Sequence, residues 1–221
     1  MKALTRHLQL CCGAWALAAS VAAHAQGVQS LERFMQTTTS GRAEFTQVVT
    51  APAKDGRPAR SKTSSGSFAF VRPNQFRFDY RKPFAQTIVA DGRTLWLYDP
   101  DMNQATARPQ AAALGNTPAS LIASATDLSV LRQAFNLQSE PDQEGLHWVM
   151  ATPVSRDATI QSVRVGLRDQ GATVVLVRLE IRDAFGQQSV LSFDRFEANP
   201  AQRDPALFQF VPPPHTEVIR P

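Results

Sequence analysis

The chain has 221 residues, 23 Lys and Arg against 19 Asp and Glu, a formal charge of +4, and two cysteines. That length suits one domain with a core large enough to need no disulfide or metal staples. The charge excess is small and forms no basic run, which argues against nucleic-acid binding and leaves only weak attraction to anionic lipid.

Residues 1–25 read as a cleaved secretory signal peptide, and 26–221 as a single domain. Lys2 and Arg6 form a positive start, Leu8 to Ala22 an apolar stretch, and Ala23-His24-Ala25 a small-x-small cleavage site. The apolar stretch is short for a membrane span, which needs about 20 residues. Cleavage leaves Gln26 first and lowers the formal charge to +2. Cys11 and Cys12 depart with the leader, so the exported chain folds in an oxidising compartment without disulfides. A lipid-anchored protein would keep a Cys as its first mature residue. Here Leu10 stands where a small residue should precede Cys11, and most of the apolar stretch follows it. The expected product is therefore exported, soluble and not lipidated.

Val28 to Thr38 places Leu31, Phe34 and Met35 at helical spacing, predicting an amphipathic helix. Strands are expected at Ala43 to Thr50, Ser67 to Val71, Gln75 to Tyr80, Gln86 to Ala90, Thr94 to Tyr98 and Asn103 to Ala107. Ala51 to Ser65 reads as a long exposed hairpin loop around Asp55-Gly56. In the third strand Phe76, Phe78 and Tyr80 alternate with Gln75, Arg77 and Asp79, so the aromatics share a face. In the fifth, Leu95 and Leu97 face one way and Trp96 and Tyr98 the other, so both faces require cover. Asp91-Gly92 between them is a tight-hairpin signal.

The pattern then changes. Thr117 can cap a helix whose first residue is Pro118, with Leu121 and Ile122 on one face. Thr126 or Asp127 caps a second, with Leu128, Leu131 and Phe135 as its stripe. Strands resume at Leu146 to Thr152, Ser162 to Arg168, Thr173 to Arg182, Ser189 to Glu197 and Phe208 to Val211. Many antiparallel strands interrupted by one short pair of helices predict a mainly β protein with some α. Its expected architecture is an unclosed antiparallel β-barrel, a half-barrel, covered by an α-helical lid. An aromatic-rich sheet of this kind either fills itself or holds something apolar, and Trp148 reads as core.

The expected catalytic inventory is empty. The mature chain has His147 and His215, no Cys, no acidic or His cluster at zinc or calcium spacing, and no Gly-rich phosphate loop. A triad from Ser189 or Ser192 with His147 and Asp194 can be drawn only by choosing freely among many serines. The reading is of a protein that is not an enzyme and uses no cofactor or metal.

Taken in order, several segments resemble the LolA family of periplasmic lipoprotein carriers. They are Phe45-Thr46-Gln47, Arg72-Pro73-Asn74 to Phe76, Asp91-Gly92 through Leu95-Trp96, Gln104-Ala105-Thr106 and Asn116-Thr117-Pro118. Phe185-Gly186-Gln187 and the tail Phe208-Gln209-Phe210 with Pro212-Pro213 complete the set, which spans nearly the whole mature chain. The tail Pro214-His215-Thr216-Glu217-Val218-Ile219 departs from the family pattern, lacking the Gly after the prolines and carrying Glu for Asp. The resemblance implies a monomeric periplasmic chaperone that binds the acyl chains of triacylated lipoproteins. An inner-membrane ABC-type lipoprotein-releasing complex loads it, and an outer-membrane lipoprotein receptor unloads it. It also implies that Arg72, before Pro-Asn, is the lid latch, and that Phe76 and Phe78 lie at the acyl-chain cavity and its mouth; Tyr80, Trp96, Leu121 and Ile122 are read as further lining residues. A carrier of another lipid, or a lipid or lipoprotein sensor of the same fold, is the alternative.

Overall fold

The computed structural model describes residues 26–53, 58–114, 127–156, 158–202 and 204–221. The expected leader, the Asp55-Gly56 loop tip, the helix beginning at Pro118 with Leu121 and Ile122, and Thr126 lie outside these residues.

Helix α1 (Gly27–Thr37) opens the domain and buries Leu31, Phe34 and Met35, the predicted stripe. Six strands follow: β1 (Ser40–Ala51), β2 (Arg60–Val71), β3 (Gln75–Lys82), β4 (Gln86–Asp91), β5 (Thr94–Asp99) and β6 (Gln104–Pro109). Then come α2 (Gln110–Leu114) and α3 (Leu128–Ala134). Five more strands are β7 (Phe135–Gln143), β8 (Leu146–Pro153), β9 (Ile160–Gln170), β10 (Thr173–Asp183) and β11 (Gln188–Ala198). A 3-10 turn (Pro205–Phe208) and a short β12 (Glu217–Ile219) end the chain.

All the strands form one sheet in the order β12-β6-β5-β4-β3-β2-β1-β11-β10-β9-β8-β7. Each pairing is antiparallel except β12 with β6. Two meanders are thus joined through β1 and β11, and the ends β12 and β7 stay apart: the half-barrel is open. Register shifts in β1 at Arg42/Glu44, in β2 at Ser65/Gly66 and in β10 at Leu176/Arg178 are the bulges that bend such a sheet. Because β6 and β7 lie at opposite sides of the sheet, the connection carrying α2 and α3 joins its two flanks. Helix α1 packs on the concave face of β7 to β10, and one core contains residues of α1, α3 and both meanders.

Three expectations require correction. The long loop after β1 is shorter than predicted, because Thr50 pairs with Ser61 and Ala51 with Arg60. Phe135 ends the helical stripe and begins β7, which pairs with β8. The polar run Asn136 to Gln143 hid that edge strand, since only Leu137 marks its apolar face. Phe208 to Val211 forms no strand. Asp204 accepts the Ala206 amide and Pro205 opens a 3-10 turn, so Phe208 is buried by packing rather than by ladder pairing. The strand of this tail is Glu217–Ile219, parallel to β6.

Candidate functional site

The concave face of β1 to β3 is an aromatic floor. Phe68 stands opposite Phe78, Phe70 opposite Phe76, and Phe45 opposite Phe193 across the neighbouring strand pairs. Ring centroids lie 4.5 Å apart for Phe68 and Phe78, 5.4 Å for Phe45 and Phe78, and 6.0 Å for Phe76 and Phe78. Tilted and edge contacts at these separations add to simple area burial. Phe76 and Phe78 are 2% and 9% exposed, so the floor is closed over. Beside it, beneath α1, a void of about 10 Å³ is lined by Leu31, Phe34, Leu137, Ala151, Val165, Leu176 and Leu179.

Tyr80 ends the row. It is half-buried, its ring 4.9 Å from Phe45, and its hydroxyl donates to Gln47 Oε1 at 2.9 Å. Burial pushes the phenol pKa up, which keeps that proton in place. Gln47 in turn donates to the hydroxyl of Ser189 at 2.8 Å. This polar relay closes the floor at its far end, where Gln47, Val49 and Tyr80 give onto an open cleft of about 690 Å³. Gln47 was visible in the sequence as part of a motif, but its partnership with Tyr80 was not.

Arg72 marks the opposite end. Its Nη1 donates to the carbonyls of Met35 at 3.1 Å and Thr38 at 2.5 Å, at the C-terminal end of α1. Those carbonyls belong to the last helical turn and its capping residue, where intrahelical donors run out and the helix dipole is negative. The guanidinium also lies 5.0 Å from the Phe34 ring and 5.4 Å from Phe70. Burial pushes its pKa down to about 10, still far enough above neutrality to keep it charged. From the other side Asn199 donates to Thr37 O at 2.7 Å and accepts the Thr39 amide at 2.9 Å. The end of α1 is therefore held by a residue from each meander. Sequence reading missed Asn199, whose only signal was an Asn-Pro turn after β11.

Trp96 is not in this site. Phe76 faces Ala90 and then Leu95, and Phe78 faces Ile88 and then Leu97, so Trp96 points to the convex side. There Phe210 covers it, with ring centroids 5.3 Å apart, and covers Tyr98 at 5.5 Å. The alternation in β5 was read correctly; the choice of face was not, because the residues covering Trp96 come from the distant tail. Trp96→Ala should lower unfolding free energy by roughly 1–3 kcal/mol, less than a full core deletion because the side chain is half-buried. Urea unfolding should record that loss, while take-up of an apolar ligand on the concave face stays as in the wild type.

Leu121 and Ile122 lie outside the described residues. Trp148 is buried, as expected. The serine triad is not assembled: Ser189 bonds to Gln47, and His147 faces Asp142 at 2.9 Å and Asp169 at 3.6 Å. Among the described residues no group of His, Cys, Asp and Glu could hold a metal ion, and no helix is long and apolar enough to cross a membrane.

The geometry thus defines an open β half-barrel with an aromatic concave floor and a helix pinned over its side by a buried cation. A family profile described as "Outer membrane lipoprotein carrier protein LolA" matches residues 36–211. The chain belongs to that family. It is 59% identical over 198 residues to the outer-membrane lipoprotein carrier protein of Albidiferax ferrireducens, covering 90% of this chain and 92% of the relative. It is 48% identical over 213 residues to the protein of the same name from Leptothrix cholodnii, covering 96% and 92%. A crystal structure of an uncharacterized conserved protein from Thermus thermophilus shares the fold with a TM-score of 0.53 at 13% identity, covering 89% of this chain and 99% of that one.

Proposed function

We propose that this protein is a periplasmic carrier that shields the acyl chains of outer-membrane lipoproteins between the two membranes. The observation that carries the reading is the closed aromatic floor lying next to a helix pinned by Arg72 rather than by hydrophobic contact alone. Each acyl methylene costs about 0.8 kcal/mol to expose to water, so a chain crosses an aqueous compartment only inside an apolar host. The floor of Phe45, Phe68, Phe76 and Phe78 supplies that host when the closed form opens. Arg72 holds the empty, closed form, and loading breaks its bonds to Met35 and Thr38. Energy for that opening comes from an ATP-driven inner-membrane complex, and the receptor at the outer membrane takes the cargo as the latch re-forms. Burial and release are the whole of the chemistry required. The carrier acts as a monomer.

The test is to incubate the exported protein with spheroplasts charged with radiolabelled lipoproteins. A soluble one-to-one complex containing an acylated lipoprotein is the expected result. If lipoproteins stay on the membrane while phospholipid or glycolipid co-purifies, the protein carries a different lipid and this reading fails.

A further inference from the structure

The end of the sheet remote from Arg72 carries features that acyl-chain shielding does not use. Four connections meet there: β1 to β2, β3 to β4, β5 to β6, and β10 to β11. Arg60, Lys62, Phe84, Met102 and Gln187 from these segments line the 690 Å³ cleft together. A Cβ placed on Gly186 would lie 3.7 Å from Pro52, which seats the β10 to β11 turn against β1. The Ala184 amide donates to Thr159 O at 3.0 Å, so the connection before β9 joins the same rim.

The rim is apolar at its tips. Phe84 is 63% exposed, Met102 66%, Val154 52% and Phe185 81%. These residues project from separate turns around the cleft instead of forming one flat patch. Between them stand exposed cations: Arg60, Lys62, Lys82 and Arg156. Lys62 lies 5.3 Å from the Phe84 ring, and Arg60, Lys62 and Lys82 have no ion pair among the described residues. Among the described residues, the carboxylates in these turns are Asp99, Asp101 and Asp183, and Glu217 accepts from Gln104 at the start of β6. Asp99 accepts the Met102 amide, and Asp183 accepts those of Phe185 and Gln187, so both serve their own turns.

We propose that this rim docks on an anionic lipid bilayer. Separate apolar tips with cations beside them suit a membrane interface, where side chains insert one by one and basic groups meet headgroup phosphates. A protein partner would instead require a continuous complementary area. Docking in this orientation points the cleft, and beyond it Gln47 and Tyr80, at the membrane. An acyl chain passing along that route would cross little water. The proposal concerns the cargo-free protein and stands whether or not lipoproteins are the cargo.

The experiment is flotation of the exported, cargo-free chain with vesicles of mixed phosphatidylglycerol and phosphatidylcholine, against phosphatidylcholine alone. Binding to the mixed vesicles should weaken with added salt and fall about tenfold or more in the double variant Arg60→Glu, Lys62→Glu. Phe84→Ser with Phe185→Ser should weaken it independently. Phe84→Trp should gain emission that brominated lipid quenches, beyond the signal of Trp96 and Trp148. All these positions are exposed, and circular dichroism checks that each variant is folded. Absence of flotation, equal binding to neutral vesicles, or an unquenched Phe84→Trp each overturns the proposal. The vesicles contain no lipoprotein, so these outcomes leave the spheroplast result unaffected.

Discussion

Gly66→Ala is expected to lower the melting temperature by roughly 6–12 °C, from a destabilisation near 3 kcal/mol. Gly66 lies at the bulge of β2, in register with Phe45 of β1 and Tyr80 of β3. A Cβ there would lie 1.9 Å from the carbonyl oxygen of Asp79 and 2.9 Å from Tyr80 Cα. Those are backbone atoms of a paired strand, so no rotamer change relieves the contact. Either β2 and β3 separate and lose ladder hydrogen bonds, or the bulge moves and turns the aromatic row off its face. The absence of a side chain also lets the rings of Phe45 and Tyr80 meet at 4.9 Å across the gap. Scanning calorimetry is the direct check, with Ser67→Ala on the convex side as a control expected within about 0.5 kcal/mol of wild type. A Gly66→Ala protein that melts within a degree or two of the parent would mean that the bulge is plastic.

Gly66 also shows where sequence reading ends. The alternation of Phe76, Phe78 and Tyr80 named the face they share, because a strand's period of two leaves no other choice. The partners of that face came from β1, β2 and β11, and pairing register between distant strands has no local signature. Trp96 went to the wrong side for the same reason: its own strand shows two apolar faces, and only the position of Phe210 decides between them. Asn199 illustrates a second kind of loss. It bonds backbone groups of residues near position 38 from about 160 positions away, and a turn-forming Asn looks the same whether or not it holds a helix. The Asp127 cap, by contrast, was legible because capping is local: Asp127 accepts the amides of Ser129 and Val130. Arg72 lay between these cases. The resemblance marked it as a latch on the lid, and the described carbonyls it holds are those at the end of α1.

Arg72→Leu should leave a folded protein that takes up cargo and gives it back only slowly. The substitution removes, among the described residues, the hydrogen bonds from a charged donor to Met35 O and Thr38 O. Hydrogen bonds to charged groups contribute about 1.5–3 kcal/mol, and a buried carbonyl left without a donor costs about 1–3 kcal/mol. Against this, Leu spares the burial of a cation and packs on Phe34 and Phe70, where the guanidinium now lies. Net stability therefore changes modestly, while the balance between closed and open forms changes more. If the latch favours the empty, closed form by about 1.5–3 kcal/mol, its loss tightens cargo binding by roughly 10- to 150-fold, because a ligand that requires opening no longer works against it. Uptake from spheroplasts should proceed, and transfer to the receptor proposed above should slow by a similar factor. Arg72→Lys separates charge from geometry. A lysine keeps the cation, but its compact ammonium does not reproduce the planar guanidinium that lies against Phe34 and Phe70 while one Nη1 reaches both carbonyls, so it should restore only part of the transfer. Transfer by Arg72→Leu at the wild-type rate, with the protein folded and loaded, would remove Arg72 from the release step and leave it a cap on α1.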